Sequence, residues 1–263
     1  MAACSAPGAV DEPSPLNRQW YADRGVELPA PFGVSVTTIG MQRELEVVDV
    51  SVSLPGQPPQ SISERADFKI ENQTVLSMAR VDHWVLPFLN IYLLVGETRT
   101  ETSLRTRFDV QPPVGAPIPV EIEQNSKVDG FSYGGGATIV VGYGDWFVMT
   151  DANYARSDLD AFEESIDAWF LSSRVGWQFS NPRTQVRLWG GVGYLASSRD
   201  LQIVIDVPII GPTVVDVEQQ PVDPVTYQFG GNLGIDRTWD VMIELGTNFD
   251  DATMLILSIG YRF

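Results

Sequence analysis

The sequence lacks several features that most proteins of its length contain. Its 263 residues include one cysteine, one histidine and only two lysines. Because a disulfide and a multi-cysteine metal site both need further cysteines, the single Cys4 excludes them. No run of about 18 apolar residues exists, so the sequence predicts no transmembrane helix. The longest candidate, residues 84 to 96, is interrupted by Pro87.

Positive charge is also scarce. The chain has 17 basic against 34 acidic residues, a net charge of −17, and 15 of its basic residues are arginine. Nucleic-acid binding needs clustered lysine and arginine, so we expect no nucleic-acid partner. An apolar content of 44% and an aromatic content of 10% are ample for an ordered fold. So little lysine is unusual for a surface that faces water.

From Gly33 onward the hydrophobic pattern has a period of two, which predicts β-strands. The first 31 residues are proline-rich and unpatterned, so residues 1 to 31 are predicted to be an N-terminal periplasmic tail before a barrel at 32 to 263. Ten strands are predicted, at residues 33 to 43, 74 to 85, 88 to 99, 131 to 144, 146 to 156, 167 to 179, 185 to 200, 225 to 236, 241 to 249 and 253 to 263.

The connections between these strands alternate between short and long. Four tight turns alternate with long segments at 44 to 73, 100 to 130, 157 to 166 and 201 to 224. Short turns at one end and long loops at the other, with an even strand number, are typical of a transmembrane β-barrel. The segments at 44 to 73 and 201 to 224 keep the period of two, which predicts hairpins beyond the barrel. The predicted fold is an all-β, antiparallel transmembrane β-barrel of about ten strands with long extracellular hairpins.

A soluble sandwich or jelly roll is the alternative, because alternation alone fits both. Two features favour the membrane barrel. The face opposite the apolar one is rich in glycine, which suits a narrow interior. Aromatic residues gather at both ends of the apolar face, as interfacial girdles do: Tyr143, Trp146, Trp177, Phe179, Tyr261 and Phe263 at one end, and Phe131, Tyr133, Tyr154, Trp169, Tyr194 and Tyr227 at the other.

The last strand, residues 252 to 263, alternates apolar residues and ends in Tyr261, Arg262 and Phe263. This ending resembles the C-terminal signature of Gram-negative outer-membrane β-barrel proteins of the small porin-like class, without indicating a subfamily. The resemblance implies a cell outer-membrane location, with outer-membrane lipid and lipopolysaccharide as surroundings. It also implies that Tyr261 and Phe263 form the assembly signal for the barrel assembly machinery. The letters MAACS make Cys4 a possible lipidation site, and a normal signal-peptidase site with a nearby cysteine explains them equally well.

No catalytic group is predicted. The only histidine, His83, shares the lipid-facing set of its strand, whereas Asp82 points the other way, so the two cannot form a dyad. This disfavours omptin-like proteases and outer-membrane phospholipases, which have a similar size but use histidine. The acidic segment at 157 to 167 lacks EF-hand spacing and is interpreted as a solvated loop. We expect no enzyme activity, no metal and no cofactor.

The inward face carries charge of both signs, and buried charges need partners. The predicted lumen network contains four arginines and four acids: Arg80, Asp82, Asp151, Arg174, Arg187, Asp236, Glu244 and Arg262. Asp151 and Arg174 lie at equal distances from their short turns on neighbouring strands, which predicts that they pair. The network is either a structural plug or a polar constriction, and the plug is favoured because barrels of this size are close to filled by side chains.

Three functions remain open at this stage. The first is a porin-like barrel of narrow or plugged lumen that passes small solutes at most. The second is a surface interaction protein or adhesin acting through its extracellular loops on an unknown partner. The third is an outer-membrane hydrolase. Segments at 44 to 73, 97 to 130, 156 to 167 and 199 to 224 together carry −14 of the net charge of −17, which predicts that one end of the molecule, outside the cell, is acidic.

Overall fold

The computed structural model describes residues 16–23, 28–53, 60–61, 67–110, 118–160, 165–181, 183–207 and 211–263. This part of the chain contains one short helix and twelve strands. The helix α1 is Arg18–Ala22, and the strands are β1 Phe32–Ser53, β2 Gln60–Ser61, β3 Asp67–Leu86, β4 Leu89–Val110, β5 Ile118–Tyr143, β6 Trp146–Leu159, β7 Ile166–Ser180, β8 Thr184–Val207, β9 Gly211–Pro221, β10 Val225–Ile235, β11 Trp239–Thr247 and β12 Ala252–Arg262.

Ten of these strands form one closed antiparallel barrel. Its order is β1, β3, β4, β5, β6, β7, β8, β10, β11 and β12, and β12 returns to β1. The closing pairs run from Gly33 opposite Arg262 to Arg43 opposite Ala252. Backbone bonds between Phe32 and Phe263, of 3.2 and 3.0 Å, extend the closure to the last residue. The predicted ten-stranded antiparallel barrel is confirmed.

Alternation along each strand sorts the residues into an apolar outside and a mixed inside. In β12, Met254 and Ile256 face inward and are buried, whereas Leu255, Leu257 and Ile259 are exposed on the outer surface. The same alternation exposes valine, leucine and isoleucine all around the barrel wall. An apolar outer surface is favourable only in contact with lipid, and the closed barrel leaves no strand with unpaired backbone groups in that lipid. The molecule therefore has the architecture of a transmembrane β-barrel.

Aromatic rings lie at both ends of this apolar surface, as predicted. At the end of the short turns, Trp146 packs edge-on against Trp177 at 4.6 Å, and Trp239 against Tyr261 at 5.0 Å. At the opposite end, Tyr154 packs on Trp169 at 5.0 Å. These two groups match the aromatic girdles of membrane barrels. Below, the first end is called the short-turn end and the second the long-loop end.

The sheet continues past the barrel at the long-loop end. Strands β4 and β5 stay paired from Leu89 opposite Ile139 to Val110 opposite Ile118, further than the sequence predicted. Strand β9 pairs with β8 and also with residues 45 to 53 of β1. It therefore connects β8 to β1 beyond the long-loop ends of the shorter strands β10, β11 and β12. The hairpin extensions predicted within 44 to 73 and 201 to 224 are confirmed, because β1 pairs with β2 and β8 pairs with β9.

The helix α1 lies at the short-turn end, within the segment predicted as a tail. The Asn17 side chain caps it by accepting a bond of 2.9 Å from the backbone N–H of Gln19. The chain then enters β1 beside the barrel wall, where the carbonyl of Pro31 accepts a bond of 2.8 Å from the N–H of Trp84. Cys4 lies outside the described residues. No helix in the described ranges is both long enough and apolar enough to cross a membrane.

Candidate functional site in the barrel lumen

A buried ion pair crosses the lumen between strands that are not neighbours. Arg174 on β7 binds Glu244 on β11 through two parallel bonds, of 2.7 Å from Nε and 2.8 Å from Nη2. Glu244 also accepts a bond of 2.6 Å from Nε1 of Trp189, and Arg174 donates to Ser172 at 2.7 Å. The side chains of Arg174 and Glu244 are only 10% and 1% exposed. Bidentate geometry and the extra partners offset the cost of burying both charges.

The predicted pair between Asp151 and Arg174 is wrong. Asp151 lies opposite Ser172 in the register, and its carboxylate accepts bonds from Tyr92 at 2.8 Å, Thr138 at 2.6 Å and Asn153 at 3.0 Å. The two residues do lie on neighbouring strands, but the Arg174 side chain reaches across the lumen to Glu244 instead. Neutral donors are thus enough to satisfy Asp151, and they leave it no need of a cation.

A second charged cluster joins β3, β4 and β12 near the short-turn end. Arg262 donates to Asp82 at 2.6 Å, and so does Asn90, also at 2.6 Å. Arg80 donates to Asn90 at 2.8 Å and stacks over the Tyr92 ring at 3.7 Å from its centroid. This cluster collects three of the predicted network residues, Arg80, Asp82 and Arg262.

The two remaining network residues differ. Arg187 points inward and donates to Gln178 at 3.3 Å and Asn232 at 3.4 Å, without an acidic partner at salt-bridge distance in the described chain. Asp236 was predicted inside and is not. It lies in the exposed turn after β10, with a left-handed φ of 50°. The strand ends at Ile235, one residue before the sequence placed its end, so alternation no longer applies to Asp236.

Asp240 supplies the luminal acid that Asp236 does not. It lies 3.8 Å from Arg262 and shares the inward face of β11 with Met242 and Glu244. Sequence reasoning missed it because the predicted strand began at 241. Extending the alternation from Glu244 back by four residues would have found it.

Large side chains crowd the lumen at mid-depth. Glycines on the inner face make room for them, since a Cβ on Gly230 would lie 2.8 Å from the Trp189 ring and one on Gly176 would lie 2.5 Å from the Phe147 ring. Gln228, two residues before Gly230, is fully buried, and neither polar atom of its amide has a partner. These uncharged side chains narrow the lumen, whereas the plug that the sequence favoured was the charged network.

The lumen is nevertheless not completely filled. A cavity of about 1160 Å³ runs along it, from Tyr21 and Pro29 at the short-turn end to Leu45 and Leu159 at the long-loop end, and residues of all ten barrel strands line it. Arg174 and Trp189 are among the lining residues, so the cross-lumen pair borders the cavity. The barrel interior is therefore narrowed by side chains but not closed.

Apolar side chains form much of the cavity wall, which the sequence analysis overlooked. All methionines other than Met1 line it: Met41, Met78, Met149, Met242 and Met254. Each of them shares its strand face with a luminal charge or polar residue, as Met149 does with Asp151 and Met242 with Glu244. Alternation places these methionines on the inward face of their strands, but the prediction from the sequence considered only the charged residues of that face.

The other predicted residues lie on the outer surface. His83 stacks on Phe32 at 4.3 Å, and its Nδ1 lies 3.3 Å from the Pro31 carbonyl. Tyr261 and Phe263 lie in the aromatic group at the short-turn end, with ring centroids 6.2 Å apart. Among the described residues, no three His, Cys, Asp or Glu side chains converge as metal ligands.

Comparison with known proteins gives only distant structural likenesses. No protein-family model matches the sequence, and no curated protein matches it. The translocator domain of the autotransporter NalP from Neisseria meningitidis aligns with a TM-score of 0.41 and 11% identity over 94% of this chain and 93% of that one. The outer membrane protein OprG from Pseudomonas aeruginosa gives 0.40 and 11% over 90% and 97%. The Ralstonia pickettii toluene transporter TbuX gives 0.38 and 10% over 89% and 90%. At such scores the functions of these proteins do not extend to this chain.

Proposed function

We propose that the protein is a narrow channel of the outer membrane that passes small solutes and has no catalytic role. One observation carries this proposal: a cavity of about 1160 Å³ runs along the lumen from the N-terminal segment to the long-loop end. A barrel filled by its own side chains would have no such path. The large side chains at mid-depth and the N-terminal segment keep the path narrow.

The ion pair of Arg174 and Glu244 sets the narrow part of this path. It ties β7 to β11 across the lumen, with Trp189 as a third member. Fixed charges at a constriction act on permeating ions, and a compensated pair makes that action weak. We therefore propose a channel of low conductance and little ion selectivity.

Swelling of proteoliposomes in isosmotic solutes tests the proposal. The full-length protein should admit glycine and arabinose and exclude the trisaccharide raffinose. Thr37→Trp places a large ring in the cavity and should stop swelling, whereas Val36→Trp places the same ring in lipid and should not. Swelling no faster than in protein-free liposomes, or equal effects of the two variants, would contradict a luminal path.

A surface interaction function remains the second candidate, supported by the sheet that continues past the barrel. Strands β4 and β5 extend to Val110 and Ile118, and β9 joins β8 to β1. Adhesion of cells to immobilised matrix proteins tests it. Loss of adhesion when residues 105 to 122 are replaced by a tight turn would support it, and wild-type cells that adhere no better than cells lacking the protein would rule it out.

A hydrolase has the least support. The single histidine packs on Phe32 at the outer surface, away from the lumen. The environment proposed for the barrel is outer-membrane lipid and lipopolysaccharide, with Phe263 recognised by the barrel assembly machinery. The acidic long-loop end is proposed to lie outside the cell.

A further inference from the structure

Six apolar side chains form a continuous patch on one side of the lumen wall. The patch covers three adjacent strands, since Ile39 on β1 lies opposite Leu76 on β3 and Ile256 on β12. Met41 lies opposite Met254. Met78 follows Leu76 by two residues on the same face of β3. We call this surface the methionine patch: Ile39, Met41, Leu76, Met78, Met254 and Ile256, all of which line the cavity.

Half of the patch is exposed to the cavity, and the other half packs beside it. Ile39, Met41 and Leu76 are only half-buried, so they face open space in the cavity, whereas Met78, Met254 and Ile256 are buried. An apolar wall beside water is unfavourable until a ligand covers it, at about 25 cal/mol per Å² of apolar area. Methionine is flexible and polarizable, which suits ligands of varied shape. Small-molecule sites are typically apolar cavities with a few placed polar groups.

One such polar group borders the patch. Arg43 follows Met41 by two residues on the same face of β1 and lines the same cavity. It is only 4% exposed, yet its Nε and Nη1 atoms have no hydrogen-bond partner. The luminal Arg174 and Arg262, in contrast, are bound to carboxylates. A buried unsatisfied donor is costly, and a ligand that accepts from it recovers that cost.

The nearby acids do not satisfy these donors. Asp251 and Asp223 act on Arg43 electrostatically, but neither accepts from Nε or Nη1. One carboxylate oxygen of Asp251 is bound by the Asn248 amide, and the other is buried without a partner. The two acids reduce the positive potential at Arg43 and leave its Nε and Nη1 groups unsatisfied. A ligand that accepts from these groups should therefore carry no more than one negative charge.

We propose that the long-loop half of the lumen binds small amphiphiles that carry one anionic headgroup and an apolar chain. The headgroup accepts from Nε and Nη1 of Arg43, and the chain lies on the methionine patch. Charge-assisted bonds to a guanidinium fix the orientation of the solute. This inference names the solute class of the proposed channel and rests on that function.

Equilibrium dialysis against the full-length barrel in nanodiscs of zwitterionic lipid tests the proposal. The probes are radiolabelled octanoate and octan-1-ol, which share a chain length and differ in charge, and empty nanodiscs correct for partition into lipid. We expect saturable octanoate binding in excess of empty discs. Arg43→Gln should weaken octanoate binding by about tenfold or more and leave octanol unchanged, because the charge-assisted hydrogen bonds from Nε and Nη1 are lost.

Two further variants make the result specific. Met41→Asn should weaken octanoate and octanol alike, since it places an amide in the apolar wall. Arg183→Gln removes an exposed arginine at the opposite end of the same cavity and should change neither. Heat-modifiable migration on gels checks that each variant is folded.

The outcomes separate the solute class from the channel function. No saturable octanoate binding, or an Arg43→Gln barrel that binds octanoate as tightly as wild type, overturns the amphiphile site. A barrel that admits glycine and arabinose while binding no octanoate is a channel without this site. A barrel that binds octanoate in an Arg43-dependent way but admits no solute has the site, and it refutes the channel.

Discussion

At the scale of single residues, the contact between Arg174 and Glu244 is the most consequential one in the lumen. Both side chains are buried, and removing either leaves the other without the opposite charge that compensates it. Arg174→Met or Glu244→Gln should each lower the free energy of unfolding by about 3 to 5 kcal/mol. The double variant should recover part of that loss. Urea unfolding of the barrel in detergent, followed by tryptophan fluorescence, measures both.

An exposed ion pair provides the matched control. Arg99 and Asp129 lie equally close, 2.6 Å apart, but are 69% and 62% exposed. Solvent screening leaves such an exposed pair with little effect on stability. Arg99→Met should therefore change stability little. If Arg174→Met proves no more harmful than Arg99→Met, the buried cross-lumen pair does not exist in the membrane.

A second prediction for single residues concerns the glycines on the inner face of the barrel. A Cβ at Gly230 meets the Trp189 ring at 2.8 Å, whereas one at Gly40, on the outer face, meets nothing within 4 Å. Gly230→Val should displace Trp189 from Glu244 and cost about 1 to 3 kcal/mol, the usual penalty for overpacking. Gly40→Val serves as the control. The two variants should differ in urea midpoint, and equal midpoints would mean that Trp189 does not pack on Gly230.

At the scale of elements, the N-terminal segment narrows the short-turn mouth of the lumen. Tyr21 and Pro29 line the cavity, and the Ala30 carbonyl accepts a bond of 3.1 Å from Arg262. Deleting residues 1 to 27 removes α1 while keeping that bond. The truncated barrel should swell faster in arabinose and still exclude raffinose, because the pair of Arg174 and Glu244 remains in place. Unchanged arabinose rates would show that the N-terminal segment does not narrow the mouth.

Strand positions were predictable from the sequence to within a few residues for most of the barrel. A period of two is a strong signal when one face meets lipid, because a shift by one residue would turn every apolar side chain inward. The predicted strand 146 to 156 became Trp146–Leu159, and 225 to 236 became Val225–Ile235. The extension of β4 and β5 was missed because that segment lies past the lipid, where alternation between apolar and polar residues is not required.

Partners across the lumen could not be predicted in the same way. Alternation tells which side chains point inward, and distance from the turns gives their depth. Neither tells which strand on the far side a long side chain reaches. Arg174 therefore appeared to meet Asp151 on the neighbouring strand, although it crosses to Glu244. Closure of the barrel decides this contact, and closure is a property of the complete sheet.

At the scale of the whole molecule, the orientation prediction follows from the charge at the long-loop end. With Cys4→Ser as background, a cysteine at Gly211 should react with an impermeant maleimide on intact cells. Gly211 begins β9 in the long-loop extension, whereas Asn181 lies at a short turn and should stay unlabelled. Labelling at Asn181 and not at Gly211 would invert the barrel in the membrane.

The central claim is that the lumen conducts, and single-channel recording in a planar lipid bilayer tests it most directly. The full-length barrel should give small, stable current steps with little preference between cations and anions. Glu244→Gln leaves the Arg174 charge uncompensated at the cavity wall, so its reversal potential in a salt gradient should shift towards anions. Folded protein that inserts without any current steps, or a reversal potential that Glu244→Gln leaves unchanged, would contradict the account.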